Sequence, residues 1–297
     1  MNTISSKVSV IIPAYNREKT IKYCIDSVLH QSIEPYEIII VDDCSSDKTV
    51  SIVNSYKNKS IKCISLKQRS GAQAARNEGI KNANGEWIAF QDSDDEWLFN
   101  KLEKQLEEAN TTGYKVIHCG CYIQKDGVKA IFVIPELSGN VYKRLLTGPG
   151  PTFPGLFVKK ECLEYIDYLD EKVPSFQEWD TSIRLSQYYD FGFVPNPLFI
   201  YHIHDGEAIS KNPIREAEGM EYIVNKHMDE IIKEAGIVHL IEYYRNLLGR
   251  FKCLNNDFKI KLYKRKILKV PLCCLIHYVL YKIKNKLKYT LKTNKNL

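Results

Sequence analysis

The sequence has no apolar run approaching the roughly 20 residues that a membrane-spanning helix requires, so no segment is read as crossing a bilayer. Its first residues, MNTISSKVSV, lack the basic start, apolar middle and small-residue cleavage site of a signal peptide. A cytoplasmic location is the expectation. The nine cysteines are odd in number and scattered, without the regular spacing of a disulfide framework. Most sit in apolar segments and read as reduced packing residues. His118, Cys119 and Cys121 fall close together, but no second thiol pair exists to finish a tetrahedral zinc site. No Gly-x-Gly-x-x-Gly follows the first apolar run and no Walker loop is present, which weakens redox and ATP-hydrolysing readings. Internal repeats are absent too, as is low complexity outside a basic C-terminal stretch.

What is present is a chain of 297 residues, 44% apolar, enough for a substantial core. The net charge of +6 conceals a split. Residues 251 to 297 hold 13 of the 42 Lys and Arg against a single acid, Asp257, leaving 29 basic and 35 acidic groups in the rest. The body and the tail therefore face different physical partners.

Short apolar runs alternate with helical periodicity through the first 100 residues, the pattern of a mostly parallel sheet covered by helices. VSVII (8 to 12), EIIIV (37 to 41), IKCISL (61 to 66) and EWIAF (86 to 90) read as strands, and Ser45, Ser46 or Asp47 can cap the helix after the second. Ligands of such sheets sit outside the carboxyl ends of the strands. Here those ends read PAYN, DDCSSD, KQRSG and QDSDD, which gathers polar and acidic residues on one rim. Further on, YKVIHCGCYIQ and VKAIFVI around KDG read as a hairpin, GPGPTFPG as a loop, FQEWDTSIRLSQYY as a helix opening with two acids, and VPNPLFIYHIH as a strand broken by Pro195 and Pro197. Asp92 and Asp94 stand two residues apart at a strand end, where alternation sends both carboxylates the same way. Hard oxygens so placed suit Mg²⁺ or Mn²⁺, and such an ion stabilises the charge of a departing nucleoside diphosphate.

The stretches VSVIIPAYNREKTIKYCIDSVLHQS, EIIIVDDCSSDKT, RSGAQAARNEGI, GEWIAFQDSDDEW and FQEWD...RL resemble, in order, the motifs of family-two glycosyltransferases with the GT-A fold, over about residues 7 to 205. The resemblance implies an α/β GT-A fold: a mostly parallel, Rossmann-like nucleotide-binding sheet flanked by helices, here with a basic helical extension. It implies a nucleotide-sugar-binding half (1–100), an acceptor-binding half (101–210) and the extension (211–297). It implies inverting transfer of a sugar, with Mn²⁺ or Mg²⁺, from a nucleotide-sugar donor, usually UDP-linked, to a saccharide or lipid-linked saccharide. Carried over residue by residue, Pro13, Tyr15 and Asn16 hold the nucleoside, Asp43 bonds uracil with Asp42 beside it, and Arg76 and, more loosely, Arg69 meet the diphosphate. Asp92 and Ser93 touch the nucleotide, Asp94 and Asp92 ligate the metal, and His204 reaches the metal or diphosphate. Glu178, in a position where relatives usually carry aspartate, falls on the general base, with Asp180 in reserve. Each has a structural alternative: packing for Tyr15, helix capping for Asp42 or Asp43, an ion pair with Glu78 or Glu86 for Arg76, helix N-terminal acids for Glu178 and Asp180, and a core position for Trp179. A sugar-phosphate nucleotidyltransferase shares the fold but would want a Gly-rich basic first loop, which PAYNRE does not supply. A non-catalytic carbohydrate-binding relic is the other rival.

In the tail, Leu272, Leu275, Ile276, Val279, Leu280, Ile283 and Leu287 recur on one helix face, with Pro271 before it and Lys282, Lys284, Lys286 and Lys288 at its far end. Such a helix fits the interface of an anionic membrane, each lysine contributing about 1 kcal/mol. The alternative is packing on its own domain. Nucleic acid is not expected, since no recognition motif accompanies the charge.

Overall fold

The computed structural model describes residues 7–125, 128–132, 136–203 and 212–293. They divide into two compact units, the second made of 146–148, 173–176 and the helical residues from 212 onward.

In the first unit, β1 (Val8–Ala14) is buried at every position, the continuous apolar run of a strand covered on both faces. It pairs in parallel with β2 (Glu37–Asp42) on one side and β4 (Trp87–Phe90) on the other, and β2 pairs in parallel with β3 (Ile61–Ser65). Helices α1 (Ile21–Leu29), α2 (Thr49–Ser55) and α3 (Ala72–Asn82) make the crossovers. Of the three candidate caps for α2, Asp47 opens it: its Oδ1 accepts from the Thr49 backbone N–H at 2.9 Å. Gly79 lets α3 lie close on the sheet, since a Cβ there would meet Ile11 Cγ2 at 2.6 Å and Val41 Cγ2 at 3.3 Å. The spatial order β3-β2-β1-β4 places a topological switch point between β1 and β4, and ligands of such sheets bind outside the strands' carboxyl ends there.

Beyond β4 the sheet is mixed. β8 (Phe157–Lys159) runs antiparallel to β4 and to β6 (Val116–Lys125), β6 is parallel to β9 (Phe191–His202), and β9 is antiparallel to the short β5 (Glu96–Trp97). β7 (Val128–Phe132) pairs with β6 as the expected hairpin. The mostly parallel sheet expected from the first half of the sequence is found in β1 to β4, and the parallel β6–β9 pair adds to it among antiparallel neighbours. β9 also continues through its prolines: opposite β6 the register jumps between Cys119 and Cys121, and this bulge absorbs residues that cannot donate to the ladder. Helix α4 (Lys101–Thr112) ends on left-handed Gly113, and α5 (Tyr142–Leu145), α6 (Lys160–Tyr165) and α7 (Gln177–Ser186) complete the unit.

The second unit contains α8 (Pro213–Lys226), whose Asn212 cap accepts from the Ile214 and Arg215 N–H groups, a short α9 (Met228–Glu230) running into a π-helical turn, α10 (Ile237–Cys253), α11 (Asp257–Leu268) and α12 (Leu272–Thr293). Tyr263 is fully buried, stacked on Phe251 and bonded through its hydroxyl to Glu221 at 2.8 Å. Gly219 packs so closely on Ser175 that a Cβ would lie 2.6 Å from the Ser175 carbonyl oxygen, and Tyr243 donates to the Leu146 carbonyl at 3.0 Å. No helix among the described residues is long and apolar enough to cross a membrane.

Candidate active site

The loops after β1, β2, β3 and β4 converge on the rim. Asn16, in a left-handed conformation (φ 50°) that asparagine tolerates, fastens the first two loops: its N–H donates to Ser45 Oγ at 2.8 Å and its Oδ1 accepts from the Ser46 N–H at 2.9 Å. Its role here is to hold the loops. Tyr15 follows buried Pro13 and Ala14, and the Arg69 guanidinium lies over its ring at 3.9 Å. Asp43 accepts the Ser70 and Gly71 backbone N–H groups at 2.6 and 2.8 Å, so both of its oxygens anchor the loop into α3. Asp42 accepts from the Ser45 N–H through Oδ2 at 3.1 Å, while its buried Oδ1 has no partner among the described residues. The free acceptor in this pair belongs to Asp42, whereas the sequence points to Asp43.

From Gln91 to Trp97 burial alternates strictly, with Asp92, Asp94 and Glu96 half-buried and the residues between them buried, Ser93 included. Arg76, buried on α3, donates to Asp92 Oδ1 at 2.6 Å and to Gln73 Oε1 at 2.9 Å, and lies over the Phe153 ring at 4.1 Å. Its partner is thus neither Glu78 nor Glu86. Arg17, which sequence reasoning passed over although it stands in PAYNRE, pairs with Asp94 at 3.3 Å. Three buried donors around these acids, Arg17 Nε, Gln73 Nε2 and Arg76 Nε, have no partner among the described residues. Such orphans cost about 1–3 kcal/mol each, and a bound anion would satisfy them.

Asp95 lies beneath. It is buried, accepts from the His202 N–H at 3.0 Å, and is pushed well above the usual carboxylate range by burial and then by Asp92 and Asp94. His202 is turned to Glu96 at 3.0 Å. His204 lies outside the described residues.

Helix α7 brings Glu178 into the same electrostatic neighbourhood. Burial raises its pKa above the ordinary 4.5, the Arg76 cation pulls it back, and Asp92 raises it further. Asp92 is itself raised, first by burial, with Arg76 opposing and Asp94 adding. Asp180, two positions along and so on a different face of the helix, is fully buried and paired with Arg184 at 3.0 Å, whose Nη1 donates to the Ile166 carbonyl. The structure does not bring Asp180 to the rim, which corrects its place as a reserve base. Trp179 is a core residue donating to the Leu145 carbonyl at 2.7 Å.

Asp92 and Asp94 are the metal candidates. Among the described residues no group of three His, Cys, Asp or Glu side chains could hold a metal by itself. Two hard carboxylates still fit Mg²⁺ or Mn²⁺, which commonly takes one or two protein ligands and completes its shell with phosphate oxygens and water.

Residues 9–153 match glycosyl transferase family 2. That stretch, just under half of the chain, is similar to family 2 glycosyltransferases. Among curated relatives, the putative teichuronic acid biosynthesis glycosyltransferase TuaG of Bacillus subtilis is 48% identical over 102 residues, covering 34% of this chain and 40% of that protein. The Escherichia coli UDP-Glc:alpha-D-GlcNAc-diphosphoundecaprenol beta-1,3-glucosyltransferase WfaP is 42% identical over 121 residues, 41% of this chain and 48% of that protein. The chain thus spans about half the length of the curated relatives it matches. Staphylococcus aureus TarS 1-349, solved in complex with UDP-GlcNAc, superposes with a TM-score of 0.66 at 23% identity over 92% of this chain and 78% of that one. The chain has the expected GT-A fold.

Proposed function

We propose that the protein is a metal-dependent, inverting glycosyltransferase that moves a sugar from a UDP-sugar to a hydroxyl of a saccharide or lipid-linked saccharide in surface polysaccharide synthesis, working at the inner face of the cell membrane. The observation that carries this reading is the trio of unpartnered buried donors, on Arg17, Gln73 and Arg76, beside two carboxylates and a raised Glu178. That is a site short of one anion. The relatives support the donor and acceptor classes: WfaP is named for UDP-glucose and a diphosphoundecaprenol-linked sugar, and TarS was solved with UDP-GlcNAc.

In this mechanism the uracil lies by Tyr15 and Arg69 and donates its imide N–H to the free Asp42 oxygen. Asp94 and Asp92 hold the divalent ion, which when bound supplies Lewis-acid stabilisation of the diphosphate. Arg76 and Arg17 add fixed positive charge where the leaving group gains negative charge, and fixed charge needs no reorganisation during the reaction. Glu178 takes the proton of the acceptor hydroxyl as that oxygen bonds to the anomeric carbon from the face opposite the breaking carbon–oxygen bond. The diphosphate leaves with the bonding pair.

Calorimetric titration of UDP, with GDP and CDP as controls, tests the donor site. Metal-dependent UDP binding that disappears in Asp94→Ala is the expected result. Binding indifferent to both metal and Asp94, or no nucleotide binding, overturns the reading. Transfer from UDP-sugars to lipid-linked acceptors then tests the activity itself.

A further inference from the structure

Helix α12 has two faces with different occupants. At about 100° per residue, Cys274, Leu275, Tyr278 and Tyr281 share one side, which packs with Val238 and Ile241 of α10. Tyr278 is buried and donates to Glu242 at 2.8 Å, and Lys282 reaches the same carboxylate at 3.1 Å. The anchoring face is therefore aromatic and thiol-bearing, tied down by a polar pair at its edge. On another side Leu272, Ile276, Val279, Leu280 and Ile283 form a stripe in which every member is at least 52% exposed. Sequence periodicity merges these residues with Leu275 into one apolar face, and leaves packing and membrane contact as alternatives. The structure separates them: packing uses the tyrosine face and leaves the aliphatic stripe open.

An aliphatic stripe of this length is not a usual feature of a solvated helix. Its surroundings have one sign. Lys284 and Lys286 fall on either side of the stripe at helical spacing, and no acid occurs from residue 258 to 297. Apolar side chains in a plane with cations along the margins complement the acyl boundary and anionic headgroups of a bilayer. A protein partner of the same apolar character would be expected to answer the lysines with acids, and the exposed chain around the stripe offers none to a second copy.

We infer that α12 is a two-sided adaptor whose Leu272–Ile276–Val279–Leu280–Ile283 stripe lies in the surface of an anionic membrane while its tyrosine face holds the second unit. The inference deepens the peripheral location proposed above and rests on that reading only for its biological setting. Cosedimentation of the full chain with phosphatidylcholine vesicles, with and without phosphatidylglycerol, tests it. The expected result is binding to the anionic vesicles alone, weakened by salt, reduced at least about tenfold in Leu272→Ser/Ile276→Ser/Leu280→Ser/Ile283→Ser, and reduced with loss of headgroup preference in Lys284→Glu/Lys286→Glu. The substituted apolar residues are exposed, so thermal melting and UDP binding are expected to stay at the parent values, which separates lost docking from lost folding. Wild-type protein left in the supernatant, or a serine variant that binds equally well, overturns the inference. So does a dimer, seen by light scattering, that the serine variant dissolves while vesicles are ignored, because the stripe is then an interface between copies. Vesicle binding without sugar transfer refutes the enzymatic proposal and leaves this one standing.

Discussion

At the scale of single residues the site is a balance of charges, and its predictions concern pH and charge deletion. Glu178 must be ionised to accept a proton, and its pKa is raised in the folded protein, so the acidic limb of kcat/KM is expected above pH 4.5. Arg76 lowers that pKa. Arg76→Ala should therefore move the limb to higher pH as well as reduce kcat/KM by about 10²-fold or more, whereas a merely structural arginine would leave the limb in place. Glu178→Gln should lower kcat by about 10²–10⁴-fold with UDP affinity retained, and Asp180→Asn should act on thermal stability by exposing Arg184 to a lost partner. These carboxylates were legible in the sequence because each stands at a strand or helix end. Arg17 was not. It pairs with Asp94, 77 positions away in the chain, and no local spacing reports that. Which of Asp42 and Asp43 keeps an unpartnered oxygen was equally invisible, because it is decided by which carboxylate the Ser70 and Gly71 N–H groups find.

At the scale of elements, β1 to β4 and their helices follow from apolar runs and periodicity, since β1, β2 and β4 are buried at every position and leave continuous apolar sequence, while the edge strand β3 mixes half-buried apolar residues with exposed Lys62 and Ser65. The mixed half of the sheet was less legible, because β5 and β8 are two and three residues long and β9 carries its prolines through a bulge. Close packing of α3 gives one test. Gly79→Ala drives a methyl into Ile11 and Val41 and is expected to cost about 1–3 kcal/mol, read as a lower denaturant midpoint, and to weaken UDP binding because the same helix carries Arg76. Strand β6 gives another. His118 is buried between Phe191 and Phe193, its Nε2 within 2.9 Å of the Leu137 carbonyl, and burial lowers its pKa from 6.5 to about 4. Between those values the unfolded chain binds a proton that the folded one refuses, so stability falls as pH drops through the window, by about 3 kcal/mol in all. His118→Gln should flatten that fall in chemical denaturation measured from pH 7 to 4.

At the scale of the whole molecule, the second unit is not a simple appendage. It takes in 146–148 and 173–176 as well as the C-terminal helices, an arrangement that composition does not signal because those short segments carry no pattern of their own. A chain ending at residue 211 is accordingly expected to melt lower and to aggregate, since Ser175 loses Gly219 and the Leu146 carbonyl loses Tyr243. Light scattering on heating would detect it, and a truncated protein as stable as the full chain would refute the argument. The same interleaving has a consequence in time. Phe176 meets Arg250, 74 residues later in the chain, and at ribosomal rates that interval is roughly 4–15 s. Residues 173–176, which lead directly into α7, therefore wait for their partners throughout that delay, long after β1 to β4 have left the ribosome.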